Sequence, residues 1–184
     1  MYGMVNLAIE EFLTERFGPS VWQEVKARAA PEIERFLNME QYPDELTNRL
    51  MGAAVEITGT PPDQISDEFG DYFVGYAKRS GHGELLDIIG SSLPEALDNL
   101  DNMHTRVALA FPDLRPPTFW CTEVTDHTLI LHYVSERRGM TSTIPGAVRG
   151  LARLFDTEVT VRLVASREDG ADHDQFLVTY HPKR

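Results

Sequence analysis

Apolar side chains along the first two thirds of the chain recur at the period of a helix face. Val5, Ala8, Ile9, Phe12 and Leu13 fall at i, i+3, i+4, i+7 and i+8, which predicts an amphipathic helix stopped by Gly18-Pro19. A second short helix is expected over 21–29. A third is expected over 44–57, with Asp44 as its N-cap and Gly59 with Pro61-Pro62 as its end. Ser66 opens a fourth, carrying Phe69, Tyr72, Phe73 and Tyr76 towards Gly81. Ser92-Leu-Pro-Glu95 reads as a capping box with Pro94 in the first turn, where its missing N–H does no harm. From there Leu97, Leu100, His104, Val107 and Phe111 mark one continuous face, stopped by Pro112. The period then changes to that of strands, over 119–124 and 128–135, joined by the turn Thr125-Asp126-His127. A helix over 143–155 intervenes, and strands near 158–165 and 175–180 flank an acidic loop over 167–174. Helices first and strands later make an α+β domain. The sequence contains no repeat, low-complexity tract or linker.

Composition narrows the function classes. A chain of 184 residues with 42% apolar and 25% charged side chains is ordinary for one globular domain, large enough to bury a ligand. Its 29 acidic against 17 basic residues give a net charge of −12, which opposes a nucleic-acid backbone or an anionic membrane surface. The first ten residues have no basic stretch of the kind that opens a signal peptide, and no apolar run approaches the ~18 residues of a membrane span. With Cys121 as the only cysteine, an internal disulfide and a multi-cysteine zinc site are excluded, and a reducing cytoplasm is the expected compartment.

His104 is the first candidate for chemistry. It sits on an apolar helix face, where a buried imidazole needs a partner for each ring nitrogen. It is either a metal ligand, the usual role of neutral imidazole towards haem iron, or a core histidine bonded to backbone or an acid, the commoner case for a lone histidine. Tyr133, Ser135 and Arg137 form the second candidate. At i, i+2 and i+4 of a strand they would present two hydroxyls and a guanidinium on one face, a receptor suited to carboxylates such as the two propionates of haem. An exposed polar strand face fits the same spacing.

Taken in order along the chain, these residues resemble the bacterial haem-nitric oxide/oxygen-binding (H-NOX) family, which includes the haem domain of soluble guanylate cyclase. The resemblance runs through Met-Tyr-Gly-Met-Val-Asn at 1–6, Gly52-Ala-Ala, Gly83-Glu-Leu-Leu, Leu93-Pro-Glu and Asn99-Leu-Asp-Asn-Met-His-Thr-Arg-Val107. It continues through Phe111-Pro-Asp-Leu-Arg-Pro-Pro117, His132-Tyr-Val-Ser-Glu-Arg137 and Asp172-His-Asp. It implies a single domain over 1–184, with a helical distal subdomain over 1–63 packed on a mixed proximal subdomain over 64–184 that carries an antiparallel sheet. A b-type haem would sit in the cleft between them.

By the same resemblance His104 is the proximal iron ligand, Tyr133, Ser135 and Arg137 hold the propionates, and Pro117 presses on the porphyrin. Oxygen-holding members use a distal tyrosine; the matching position is Thr143, or Ser142 if the preceding loop differs by a residue, and neither is tyrosine. With Val5, Ile9 and Phe73 as apolar neighbours, the implied ligands are nitric oxide and carbon monoxide at ferrous iron, without a stable oxygen complex. NO would weaken the iron–His104 bond and relax the porphyrin against Pro117. The resulting shift would be read by a separate histidine kinase or cyclic-di-nucleotide enzyme. An oxygen or redox sensor of the same family is the alternative.

Two classes compete with a gas sensor less well. A haem enzyme would need a distal acid or base that Val5, Ile9, Phe73 and Thr143 do not offer. A haem-free member acting as a protein-binding scaffold would purify colourless. No phosphate loop, nucleophile elbow or paired catalytic carboxylates point to another enzyme. Cys121 reads as a buried, inert thiol, His132 as structural on the opposite strand face, and Trp22 and Trp120 as packing residues. His173 reads as part of a solvated loop rather than a cation ligand.

Overall fold

The computed structural model describes residues 1–111 and 113–183, without the side chains of His82, Leu85 and Ala110. The expected helix stop at Pro112 lies outside the described residues. The chain divides into two compact units, Met1–Phe69 and Gly70–Arg184, and the division falls inside one helix.

The first unit is helical. It contains α1 (Gly3–Phe17), α2 (Pro19–Ala29), α3 (Asp44–Thr58) and the first half of α4 (Pro62–Ala77). The predicted apolar stripe is the one that buries: Ala8, Ile9, Phe12 and Leu13 of α1 meet a core that includes Val25, Leu50 and Ile65. Each fully buried aliphatic side chain of this kind contributes about 1.5–3 kcal/mol. Trp22 is buried and packs on Phe36, as a packing tryptophan should. Two predicted boundaries move. Asp44 does not cap α3; Pro43 holds that position, and the Asp44 carboxylate instead accepts from the Met1 amino group at 2.6 Å. The fourth helix begins at Pro62 rather than Ser66, because proline is welcome in a first turn that leaves its N–H unbonded anyway.

The second unit is mixed. After α4 the helical ladder distorts over Lys78–His82, with Ser80 and Gly81 off helical backbone angles, and α5 (Gly83–Asp87) follows. Then come α6 (Leu93–Asp98) and α7 (Leu100–Ala110). The face expected to be continuous here turns at Asn99 (φ −89°, ψ 0°), whose side-chain amide donates to the Ile89 carbonyl at 2.9 Å. The capping box also differs: Glu95 reaches back one residue further, accepting from the amide and hydroxyl of Ser91, and Ser92 makes no side-chain cap. Four antiparallel strands, β1 (Thr118–Thr122), β2 (Thr128–Val134), β3 (Thr157–Ala165) and β4 (Asp174–Pro182), pair in the order β1-β2-β4-β3. The α8 helix (Ile144–Leu154) follows a short 3₁₀ turn at Thr141–Thr143. Leu129, Leu131, Phe176 and Val178 of the sheet form one core with Val148 and Leu151 of α8 and Leu93 and Leu97 of α6.

Within this unit α4 and α8 meet backbone to backbone. A Cβ on Gly70 would lie 2.1 Å from the Thr143 carbonyl oxygen, and one on Gly150 would lie 2.9 Å from the Asp71 carbonyl oxygen. Only glycine permits so close an approach. Arg153 of α8 fixes the same crossing by pairing with the Asp71 carboxylate. The α+β architecture read from the sequence is the one observed.

Candidate functional site

The residues singled out for chemistry fall unevenly between the units. Val5 and Ile9 belong to α1 of the helical unit, where Ile9 is fully buried and Val5 half-buried. His104, Pro117, Tyr133, Ser135, Arg137, Phe73 and Thr143 all belong to the mixed unit.

His104 is half-buried on α7, and its Nδ1 is buried with no hydrogen-bond partner among the described residues. Burial pushes its pKa below the ordinary histidine value, while the nearby Asp101 carboxylate partly opposes the shift, so the ring is held neutral. A neutral imidazole with an unsatisfied nitrogen is the form that ligates metals. The ring stacks on Phe119 of β1, with centroids 5.8 Å apart, and Phe119 in turn packs on Tyr133 of β2 at 5.2 Å. An aromatic chain thus runs from the helix histidine to the strand carrying the hydroxyls. The core-histidine reading needs a bond to backbone or acid at that nitrogen, and none is present among the described residues.

The Tyr133-Ser135-Arg137 cluster is real, but strand alternation does not build it. The strand stops at Val134, one residue short of the expectation. Ser135 Oγ accepts from the Arg137 amide at 3.1 Å, a serine turn that bends the chain and brings residue 137 back over residue 135. Tyr133 is buried, and burial raises its phenol pKa although its hydrogen bond with Ser135 partly offsets this. Arg137 is half-buried and donates to the Arg115 carbonyl at 2.5 Å, which ties the cluster to the segment before β1. Pro117, half-buried, lies in that segment just ahead of β1.

Thr143 ends the 3₁₀ turn and seats against Gly70, with its Cγ2 directed towards α4. Its hydroxyl makes no hydrogen bond among the described residues, so it is not spent on its own helix backbone. Phe73 stacks on Tyr76 along α4.

Four residues that serve this region escaped the sequence. Phe119 carries no sequence signal beyond that of a strand residue. Asp174 is buried at the start of β4, where its carboxylate accepts from the Thr141 hydroxyl at 2.6 Å and the Arg167 amide at 2.8 Å. Thr141 and Arg167 are thereby joined around it. The signal available was the Asp172-His-Asp motif, but pairing Tyr133 with Asp174 is a long-range register that no local pattern encodes.

On the other sheet face the expectation for His173 is corrected. It is half-buried, with Nε2 2.8 Å from His132 Nδ1 and its ring against Trp120. Trp120 offers an aromatic surface that draws the loop in from solvent. His132 does point to that face, stacked on Trp120 at 4.7 Å and bonded to Thr122. Cys121 is partly buried, and burial pushes its thiol up to about 12 with help from the Asp98 charge, as suits an inert thiol.

The donor set fits a haem: a neutral imidazole with an unsatisfied nitrogen, an adjoining aromatic, and two hydroxyls beside a guanidinium for carboxylates. Comparison with known proteins agrees. The family model described as Haem-NO-binding matches residues 2–163. The soluble guanylate cyclases gcy-31 and gcy-33 of Caenorhabditis elegans are 31% and 32% identical over 92% of this chain. The chain spans a quarter or less of the length of these relatives, 24% and 18% respectively. Among solved structures, an H-NOX protein from S. oneidensis in the Fe(II) state superposes with a TM-score of 0.91 at 18% identity, covering 100% of this chain and 98% of that one. Fe(II) unliganded H-NOX from K. algicida gives 0.84 at 20% identity, with coverage of 100% and 98%. The chain belongs to the haem-NO-binding family and has the H-NOX fold.

Proposed function

We propose that this domain is a haem-based sensor of nitric oxide and carbon monoxide, with His104 as the axial ligand. The observation that carries the reading is the buried, unpartnered Nδ1 of a neutral His104 in the same compact unit as the Tyr133–Ser135–Arg137 cluster. A ferrous b-type haem held here would supply the iron chemistry that binds a diatomic gas. The chain supplies the rest. His104 gives the imidazole, and the hydroxyls of Tyr133 and Ser135 with the Arg137 guanidinium bind carboxylate oxygens. Pro117, at the head of β1, would pack against the bound group, and Phe73 would provide an apolar neighbour.

A change in the pull on His104 is felt through Phe119 at Tyr133, because these three rings are packed in series. Displacement of α7 on the sheet therefore reaches the propionate clamp. It becomes a signal when a separate protein, a histidine kinase or cyclic-di-nucleotide enzyme, binds the two arrangements with different affinity.

One observation favours a second reading. The Thr143 hydroxyl is not committed to a backbone bond and would donate to bound oxygen, which makes this an oxygen sensor of the same family. Anaerobic ultraviolet-visible titration of the reduced protein with CO and then NO, followed by air on a fresh sample, separates the two. A five-coordinate ferrous Soret band that shifts with both gases and forms no stable oxy complex supports the NO sensor. A stable oxy spectrum supports the second reading, and a colourless protein after expression with ample haem refutes both.

A further inference from the structure

The Tyr-x-Ser-x-Arg cluster contains one guanidinium, whereas haem carries two propionates. The structure brings a second arginine to the cluster from 30 residues downstream of Arg137. Arg167 opens the 3₁₀ turn Arg167–Asp169, and its backbone is held on both sides. Its amide donates to the buried Asp174 carboxylate at 2.8 Å, while the Ser166 hydroxyl caps the turn by accepting from the Glu168 amide at 3.1 Å. From this seat its Nη1 donates to the Ser135 carbonyl at 2.9 Å. The Asp174 carboxylate accepts from the Arg167 amide and the Thr141 hydroxyl, not from that guanidinium. Arg16, Arg28, Arg49 and Arg153 each pair with a carboxylate, but Arg167 has no carboxylate partner among the described residues.

We propose that Arg167 is a second carboxylate-binding residue of this site, taking the haem propionate that Arg137 does not. The proposal rests on the reading of Tyr133, Ser135 and Arg137 as a propionate clamp. A guanidinium anchored by one N–H to a main-chain carbonyl keeps its other N–H groups for a carboxylate, and little side-chain freedom is left to lose on binding. Its charge is also felt at the clamp: burial and then the Asp174 carboxylate raise the Tyr133 phenol pKa, and the Arg167 and Arg137 guanidinia both oppose them. It is the cation at the head of a segment that otherwise carries Glu168, Asp169, Asp172 and Asp174, where a lone positive side chain stands out.

The test crosses the arginines with the propionates. Wild type, Arg137→Ala and Arg167→Ala are loaded with haem, with each of the two haem monomethyl ester isomers, and with the dimethyl ester. Loss of haem to excess apomyoglobin is then timed, and circular dichroism verifies the fold. For haem, Arg167→Ala should speed loss on the order of 3–10-fold, the range for a charge-assisted bond at a largely exposed site. One monoester isomer should abolish the effect of Arg167→Ala and the other that of Arg137→Ala; with the dimethyl ester both effects should vanish. Loss at the wild-type rate would overturn the proposal. So would an effect that persists with the dimethyl ester, since Arg167 would then act only through the Ser135 main chain. If Arg137→Ala is also without effect while wild type holds haem, the clamp itself is misread. If wild type takes up no haem, the sensor reading falls and this inference falls with it.

Discussion

The two compact units of this chain bury different things. Among the described residues, the polar side chains buried in the helical unit are Asn6 and Thr47; the Thr47 hydroxyl donates to Asn6 Oδ1 at 2.8 Å, while Asn6 Nδ2 is left without a partner. The mixed unit buries Ser135, Ser166 and Asp174 and half-buries His104. Charge is divided the other way. The helical unit holds 13 acidic and 5 basic residues, net −8, and the mixed unit holds 16 and 12, net −4. Acids on a surface cost little, whereas polar groups under cover must each be answered by a partner or by a ligand. The site proposed above lies in the unit with more buried polar residues, and charge density is a poor guide to it.

The comparison breaks most decisively at His104. His104→Ala should abolish the high-spin ferrous spectrum of protein purified without imidazole, and added imidazole should restore it. An unchanged Soret band in the variant would remove the mixed unit's claim. Next in size is a matched pair of core truncations. Leu50→Ala in the helical core and Leu131→Ala in the mixed core should each cost about 2–5 kcal/mol in urea unfolding. Both leucines are fully buried, but Leu131 neighbours Phe119 and Tyr133 in its core, so that variant should also hasten haem loss. Equal haem loss from both variants would contradict the contrast.

Arg137→Ala comes third, with haem loss roughly 5–30-fold faster, because a half-buried guanidinium is removed from a carboxylate. Retention at the wild-type rate would mean that the cluster holds something else. Thr143→Val should be quieter still. NO and CO spectra should be unaltered, and any oxy complex that wild type forms should be lost. Least of all is expected from Cys121. Folding keeps its thiol neutral up to about pH 12, while in the unfolded chain it ionises near its ordinary value of 9.0. Its contribution is thus full below pH 9 and is lost as pH rises towards 12. Near pH 8 the folded thiol should react with a disulfide reagent roughly a thousandfold more slowly than a free one. Rapid labelling would show that the site opens.

Much of this was legible in the sequence, for identifiable reasons. Periodicity gave the helices because an amphipathic face is a local signal, and Ala8, Ile9, Phe12 and Leu13 bury as expected. His104 stood out because an imidazole on an apolar stripe is a local anomaly. The Tyr133 cluster was found for a partly mistaken reason: its members come together through a serine turn past the strand end. What stayed hidden depends on register. Asp174 lies opposite Tyr133, and Arg167 reaches Ser135, only because β4 pairs with β2 across about forty residues of chain. His173 was read as solvated because nothing in its own segment reveals Trp120 and His132 waiting on the sheet.

The crossing of α4 and α8 has a mechanical consequence. At Gly70 and Gly150 the glycines contribute no side chain, so only the short Thr143 and Val74 side chains share these contacts with backbone, a thin layer to absorb a small movement. Helices separated by long side chains can slide by changing rotamers; these two transmit force as rigid parts in direct contact. A small shift of α8 therefore has little room to be absorbed at Gly70 and Gly150, and the seat of Thr143 on Gly70 should move with it.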